Sequence, residues 1–254
     1  MTRATPAFRR KAPFRGALFD LGNTLMEFET RAFAELNREG AESVSRALEE
    51  AGVRLDAATF VERFLGDFRA SVRRSLAEDH REITLRELIP EVLLGLGQSC
   101  EGSLLERLVE AHYAPIVAQV SLYPGTAEIL SRLRGAGLKI GLVSNTIWPE
   151  PFHVHDLRRF GILGEFDCLV FSSTLGVAKP NQRIFREALD RLGVAPEESF
   201  YVGDRPEIDV LGAQSIGMAA VLKRHPLRSL ERHEGIVPDA VIDDLRELAD
   251  LVGV

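Results

Sequence analysis

The sequence predicts an α/β fold: a Rossmann-like, mainly parallel sheet with helices on both faces, into which a helical cap is inserted. Three observations predict it. Residues 16–20, GALFD, form a short apolar run ending in an acid; residues 27–118 carry apolar side chains at helical spacing only; and beyond Tyr123 short apolar runs alternate with amphipathic ones. Strands of four to six residues alternating with longer helical patterns are the signature of parallel strands joined by crossover helices. The division expected is a basic arm over 1–15, a core from 16–26 and 119–254, and a cap over 27–118.

In chain order, GALFD reads as a buried strand, and LGNT at 21–24 as the loop that closes it. A first cap helix is expected from Glu27 to about Glu50. A second runs from Ala57 to Asp79, where Phe60, Phe64, Phe68, Val72 and Leu76 recur at steps of four and should pack against neighbouring helices. Residues 84–97 and 103–120 supply two more helices, the former opened by Thr84 and Glu87 at capping-box spacing. After Pro124 and Gly125 come a helix at 126–137, a strand at 138–145, a helix at 156–163, a strand at 166–173 and a helix at 181–193. A strand at 199–204, a helix at 208–217, a strand at 218–223 and a last helix from Asp243 to Val252 complete the pattern.

A chain of 254 residues with 45% hydrophobic and 27% charged residues suits a globular protein exposing roughly 11,000 Å². It holds no apolar run long enough to span a membrane. Two cysteines, Cys100 and Cys168, form no metal-ligand cluster, and a reduced, cytoplasmic setting is expected. The net charge of −7 lies in residues 26–118, which hold acids and arginines but no lysine. Such a surface argues against duplex nucleic acid as a ligand, since its phosphates demand many Lys and Arg contacts. Arg3, Arg9, Arg10, Lys11 and Arg15 read as a solvated arm, with no apolar core of a secretion signal after them.

Four expected strands end in polar residues, and in an open α/β sheet those ends converge at the ligand crevice. Asp20, Ser144, Lys179, Asp204 and Asp209 thereby become one constellation. Each Asp alone could be a cap or turn former. Together, three carboxylates, an ammonium and a hydroxyl suit a hard divalent cation that bridges carboxylates to phosphate. Trp148, His153 and His155 follow the Ser144 loop and could rim the crevice, although loop packing and surface positions suit them better. His80, His112 and Arg205 are further candidates whose orientation the pattern leaves open.

The strings LFDLGNTL (18–25), VSNT (143–146), VAKPNQRIF (177–185) and YVGDRPEIDVLGAQSIGM (201–218) closely resemble the four motifs of the haloacid dehalogenase-like hydrolase superfamily. Their order and spacing match, and the helical insertion stands where the superfamily's C1-type cap belongs. The resemblance implies Asp20 as a nucleophile forming a covalent aspartyl intermediate. Ser144, Asn145 and Thr24 would bind the phosphoryl group, and Lys179 would offset its charge. Asp20, Asp204, Asp209 and the Gly22 carbonyl would hold Mg²⁺. A small monophosphate is the substrate implied, in a monomer or homodimer with neither nucleic acid nor membrane as partner.

One position departs from the superfamily's phosphatase pattern. Where those enzymes carry a second Asp that protonates the leaving oxygen, this chain has Gly22. General acid-base help is worth about 10² to 10⁴ in rate, so alkyl phosphates should react slowly. The phosphonate-cleaving branch tolerates a small residue there but needs a cap lysine, and none lies in 26–118. Two alternatives stand beside the phosphatase-like hydrolase: a dehalogenase, and a catalytically impaired binding or regulatory protein on the same fold.

Overall fold

The computed structural model describes residues 3–4, 8, 13–226 and 235–254. Nine strands occur among them: β1 (Arg3–Ala4), β2 (Gly16–Phe19), β3 (Met26–Glu27), β4 (Ser121–Leu122), β5 (Lys139–Ser144), β6 (Cys168–Phe171), β7 (Ser199–Gly203), β8 (Ala219–Lys223) and β9 (Ala240–Ile242). Seven build one sheet in the order β1-β9-β8-β7-β2-β5-β6, parallel throughout except for the antiparallel edge pair β1 and β9. The centre is β2, registered on both sides, with Phe19 opposite Leu142 of β5 and Val202 of β7. Asp20 follows β2 directly and so emerges at the middle of the sheet's C-terminal edge.

Successive side chains of a strand face opposite ways, and here both faces are buried. Ala17, Phe19, Ile140, Leu142, Phe200 and Val202 pack into one apolar layer, while Leu18, Val143, Val170 and Tyr201 pack into the other. This two-sided burial explains why the strands read as continuous apolar runs rather than alternating ones. Burying each Phe or Leu contributes about 1.5–3 kcal/mol, and the β2 core carries such residues on both sides.

The insertion consists of the helices Phe33–Glu50, Ala57–Ala77, Leu85–Gly95 and Gly102–Val117. Asp56 caps the second by accepting from the Thr59 N–H at 2.8 Å, and Thr84 with Glu87 forms the expected capping box at the third. Leu36, Val44, Phe60, Phe64, Leu88, Val92, Leu108 and Ile116 form a core of their own, joined by Trp148. The chain enters and leaves the insertion through an antiparallel ribbon in which Met26 pairs with Leu122 and Glu27 with Ser121. Among the described residues no helix is long and apolar enough to cross a membrane. Cys100 and Cys168 are both unbridged.

Several elements differ from the sequence expectation. The first cap helix begins at Phe33, because residues 27–32 serve the ribbon and its exit. The Phe60 stripe is buried only at its start: Val72 and Leu76 are 46% and 64% exposed where the helix outruns its neighbours. The helix expected at 156–163 spans Glu150–Arg159, opened by Pro149 and Pro151, residues that fit a first helical turn. The expected helix at 208–217 is a π-helical turn, Pro206–Val210, continued by Leu211–Gln214. Strand β9 was missed, and the last helix is the shorter Glu247–Val252. In the basic N-terminal segment, Arg3–Ala4 joins the sheet edge and Phe8 is buried against Phe14 and Phe200, in place of a wholly solvated arm. Arg9, Arg10 and Lys11 lie outside the described residues.

Candidate active site

The C-terminal ends of β2, β5 and β7 bring Asp20, Ser144 and Asp204 together with Lys179 and Asp209, all of them buried. Lys179 is the hub. Its Nζ donates to Asp20 Oδ1 at 2.6 Å, to Asp209 Oδ1 at 2.8 Å and to the Tyr201 hydroxyl at 2.8 Å. Tyr201 in turn donates to the Val143 carbonyl at 3.0 Å. Asp209 uses its other oxygen to accept from the Arg205 N–H at 2.9 Å. Gly203 makes this approach possible, because a Cβ there would fall 2.4 Å from Asp209 Cγ.

The charges do not balance among these residues. Carboxylate oxygens of Asp20, Asp204 and Asp209 lie within 4.8 Å of one another, against the single ammonium of Lys179. Burial pushes the Asp20 carboxyl up, Lys179 pulls it down, and the negative charge of Asp209 raises it again, so the net shift is upward. Burial opposes the Lys179 ammonium, yet Asp20 and Asp209 outweigh it and hold the lysine protonated. Hard oxygen donors with a deficit of positive charge fit a divalent cation.

The turn after β2 is held from several directions. Asn23 adopts a left-handed φ of 60°, where Asn is tolerated better than most residues. Its N–H donates to the Met26 carbonyl at 2.6 Å, and its side-chain oxygen accepts from the N–H groups of Phe28 and Glu29 at 3.2 and 2.9 Å. The Thr24 hydroxyl donates to Asp20 Oδ2 at 3.3 Å. Gly22 is half-buried beneath Phe28, whose Cβ would lie 3.4 Å from a Cβ at position 22. Among the described residues, none of the turn's backbone hydrogen bonds ends on the Gly22 carbonyl.

Asn145 has a role that the motif reading did not anticipate. Its side chain accepts from the Lys179 N–H at 2.7 Å and donates to the Lys179 carbonyl at 3.0 Å, tying the β5 loop to the lysine backbone. Thr146 continues the link, its N–H donating to Ser172 Oγ at 2.7 Å. The cap closes on these loops. Ala178 N–H donates to the His80 carbonyl, Glu82 N–H to the Gly176 carbonyl and Leu85 N–H to the Ile147 carbonyl, at 2.8, 3.1 and 3.0 Å.

The remaining candidates separate clearly. Trp148 is 4% exposed and does not rim an open crevice; it fills the cap-core seam, its indole N–H donating to His112 Nδ1 at 3.3 Å. His112 Nε2 then carries the proton toward Asn37 Oδ1 at 3.2 Å, a tautomer assigned from these partners. Burial drives the His112 imidazole down to about 3 and His153 to about 4, so both are neutral. His153 is stacked on Phe171 and bonded to the Thr146 hydroxyl, whereas His155 and the Arg205 side chain are exposed. Sequence reasoning missed Tyr201, Phe28 and Lys223. A tyrosine inside a buried strand carries a polar tip that needs a partner, which is the one signal Tyr201 offered.

A profile of the haloacid dehalogenase-like hydrolases matches residues 14–217. The chain is 33% identical over 240 residues to a glyceraldehyde 3-phosphate phosphatase of Methanopyrus kandleri, covering 94% of this chain and 97% of that protein. In solved structures it resembles a HAD phosphatase from Thermococcus onnurineus, with TM-score 0.63, 26% identity and coverage of 94% and 98%. It also resembles a 2-haloacid dehalogenase from Pseudomonas syringae, with TM-score 0.68 and coverage of 94% and 98%, a likeness of fold at 22% identity.

Proposed function

The chain belongs to the haloacid dehalogenase-like hydrolase superfamily, and from that premise we propose that it hydrolyses a small phosphate monoester through Asp20 with Mg²⁺ as cofactor. The observation that carries this reading is the buried cluster of Asp20, Asp204 and Asp209 around one lysine at the crevice end of the sheet. The full-length similarity to a glyceraldehyde 3-phosphate phosphatase supports a small phosphorylated substrate. The cap, with its net negative charge and no lysine, adds no attraction for a polyphosphorylated one.

Asp20 and Asp204, with the Gly22 carbonyl, would hold Mg²⁺. Asp209 would act from behind, since both its oxygens are engaged by Lys179 and the Arg205 N–H. When bound, the cation neutralises charge on the phosphoryl oxygens. A carboxylate oxygen of Asp20 attacks phosphorus in line with the departing ester oxygen, and the P–O bond to the alcohol breaks. Lys179, its three N–H groups given to Asp20, Tyr201 and Asp209, steadies Asp20 and offsets the charge of the transferred group, to which Ser144 and the Asn145 backbone would donate. Position 22 has no carboxyl, so the leaving oxygen takes its proton from water. A second water then cleaves the aspartyl phosphate and regenerates Asp20.

Turnover of p-nitrophenyl phosphate with Mg²⁺ by wild type and by Asp20→Asn tests the reading. Wild type should turn over slowly and the variant not at all; equal rates would refute it. One observation favours a second reading, a ligand-binding protein of impaired chemistry: Phe28 stands over Gly22, where an acid-base group is absent. That reading forecasts no turnover above the Asp20→Asn background.

A further inference from the structure

Lys223 lies at the end of β8, outside the recognised motifs, and is only 4% exposed. No carboxylate of the described residues lies within ion-pair distance of it. Its Nζ instead donates to the Asn23 carbonyl at 3.1 Å and sits 3.6 Å from the centre of the Tyr123 ring. A buried ammonium without a direct counter-ion among the described residues is costly, and the carbonyl dipole and ring face offset only part of that cost. Asp204, Asp244 and Glu27 act on it through space. The molecule thus keeps a second buried cation beside an acidic cluster, bonded to the turn that follows Asp20.

The bond falls where the turn is most demanding. Asn23 is the residue at positive φ, and its two flanking peptides are separately held: the Gly22–Asn23 peptide by the N–H bond to Met26, and the Asn23–Thr24 peptide by Lys223. Rotating the second peptide would pull on the first, whose carbonyl is that of Gly22. Tyr123 closes the arrangement from the other side, its N–H donating to the Leu25 carbonyl at 3.1 Å while its ring lies under the ammonium.

We propose that Lys223 is a positioning residue for the metal site: by holding the Asn23 carbonyl it fixes the Gly22 peptide so that its carbonyl faces the cation. The inference rests on the Mg²⁺ site proposed above. It also conflicts with the simplest electrostatic expectation, which makes the test decisive. If Lys223 acted only as a charge near Asp204, removing it would relieve repulsion and tighten Mg²⁺ binding. If it positions the turn, removing it weakens binding, by about 10- to 100-fold as for other outer supports of metal ligands.

Titration calorimetry with MgCl₂ on wild type, Lys223→Met and Lys223→Arg distinguishes these outcomes without relying on turnover. The expected result is weaker binding in Lys223→Met and recovery toward wild type in Lys223→Arg, whose guanidinium can still donate to Asn23. Lys223→Met binding as tightly as wild type, or more tightly, would overturn the inference. Circular dichroism establishes that each variant is folded; should Lys223→Met fail to fold, Lys223→Leu, neutral and equally without a donor for the Asn23 carbonyl, carries the same comparison. Wild type that binds no Mg²⁺ would instead overturn the metal-site reading on which the inference stands.

Discussion

Restoring a carboxylate at position 22 addresses the main chemical peculiarity of this site. Gly22 is not among the glycines with positive φ, so an aspartate there meets no backbone penalty. Its Cβ would lie 3.4 Å from Phe28 Cβ and 3.6 Å from Phe28 Cγ, ordinary contact distances. Overpacking costs about 1–3 kcal/mol where neighbours cannot move, and Phe28 is half-buried on the inter-domain ribbon's exit, so the lower end applies. A cost of about 1 kcal/mol lowers the melting temperature of a chain this size by about 2–4 °C. Against that, a positioned acid-base group contributes about 10² to 10⁴ in rate. Gly22→Asp should therefore raise Mg²⁺-dependent hydrolysis of an alkyl phosphate by about 10² or more, and of p-nitrophenyl phosphate much less, because its leaving group needs no proton. Steady-state assays of both substrates, beside thermal melts and Mg²⁺ titrations, would measure this. A folded, Mg²⁺-binding Gly22→Asp protein with unchanged alkyl phosphate hydrolysis would refute the reasoning.

Two further predictions follow from the packing. Gly203→Ala places a methyl group 2.4 Å from Asp209 Cγ, so Asp209 must leave Lys179; turnover should fall at least about tenfold with a measurable loss of stability, and wild-type rates in the variant would show that Asp209 is dispensable. His112 and His153 titrate near 3 and 4 in the fold against 6.5 ordinarily, so the unfolded chain binds protons first as pH falls. Stability should then be full above about pH 6.5 and decline below it, each histidine contributing up to about 1.4 kcal/mol per pH unit. Urea unfolding of wild type and His112→Leu checks this, since the variant should show the shallower decline between about pH 7 and pH 5; identical slopes would contradict it.

The residues whose roles depend on strand ends were legible in the sequence, and those whose roles depend on distant partners were not. Asp20, Ser144 and Asp204 each close an apolar run, so a local pattern placed them at one edge of the sheet. Lys179 and Asp209 lie on loops that follow the strand ends and so joined the same constellation, the resemblance adding only their roles, and the structure brings both to Asp20. Lys223 could not be read this way: it ends a strand like many lysines, and its partner Asn23 lies 200 residues away. Loop packing was the better-suited role for Trp148 and the structure buries it in the cap seam, whereas His153, expected at a surface or helix start, sits in the first turns of the Glu150–Arg159 helix but is buried, bonded to the Thr146 hydroxyl. The exposed Val72 and Leu76 show the limit of periodicity, which records a helix's apolar face but not where its neighbours stop.

The central claim is that Asp20 carries the phosphoryl group between substrate and water. Without an acid-base group at position 22, water attack on the aspartyl phosphate should be the slower step, so the intermediate should accumulate. Acid quenching during turnover of a phosphate-labelled aryl ester, followed by peptide mapping, measures it directly. The account predicts label on the peptide containing Asp20, released by hydroxylamine as an acyl phosphate is. Product formation with the Asp20 peptide unlabelled would contradict it.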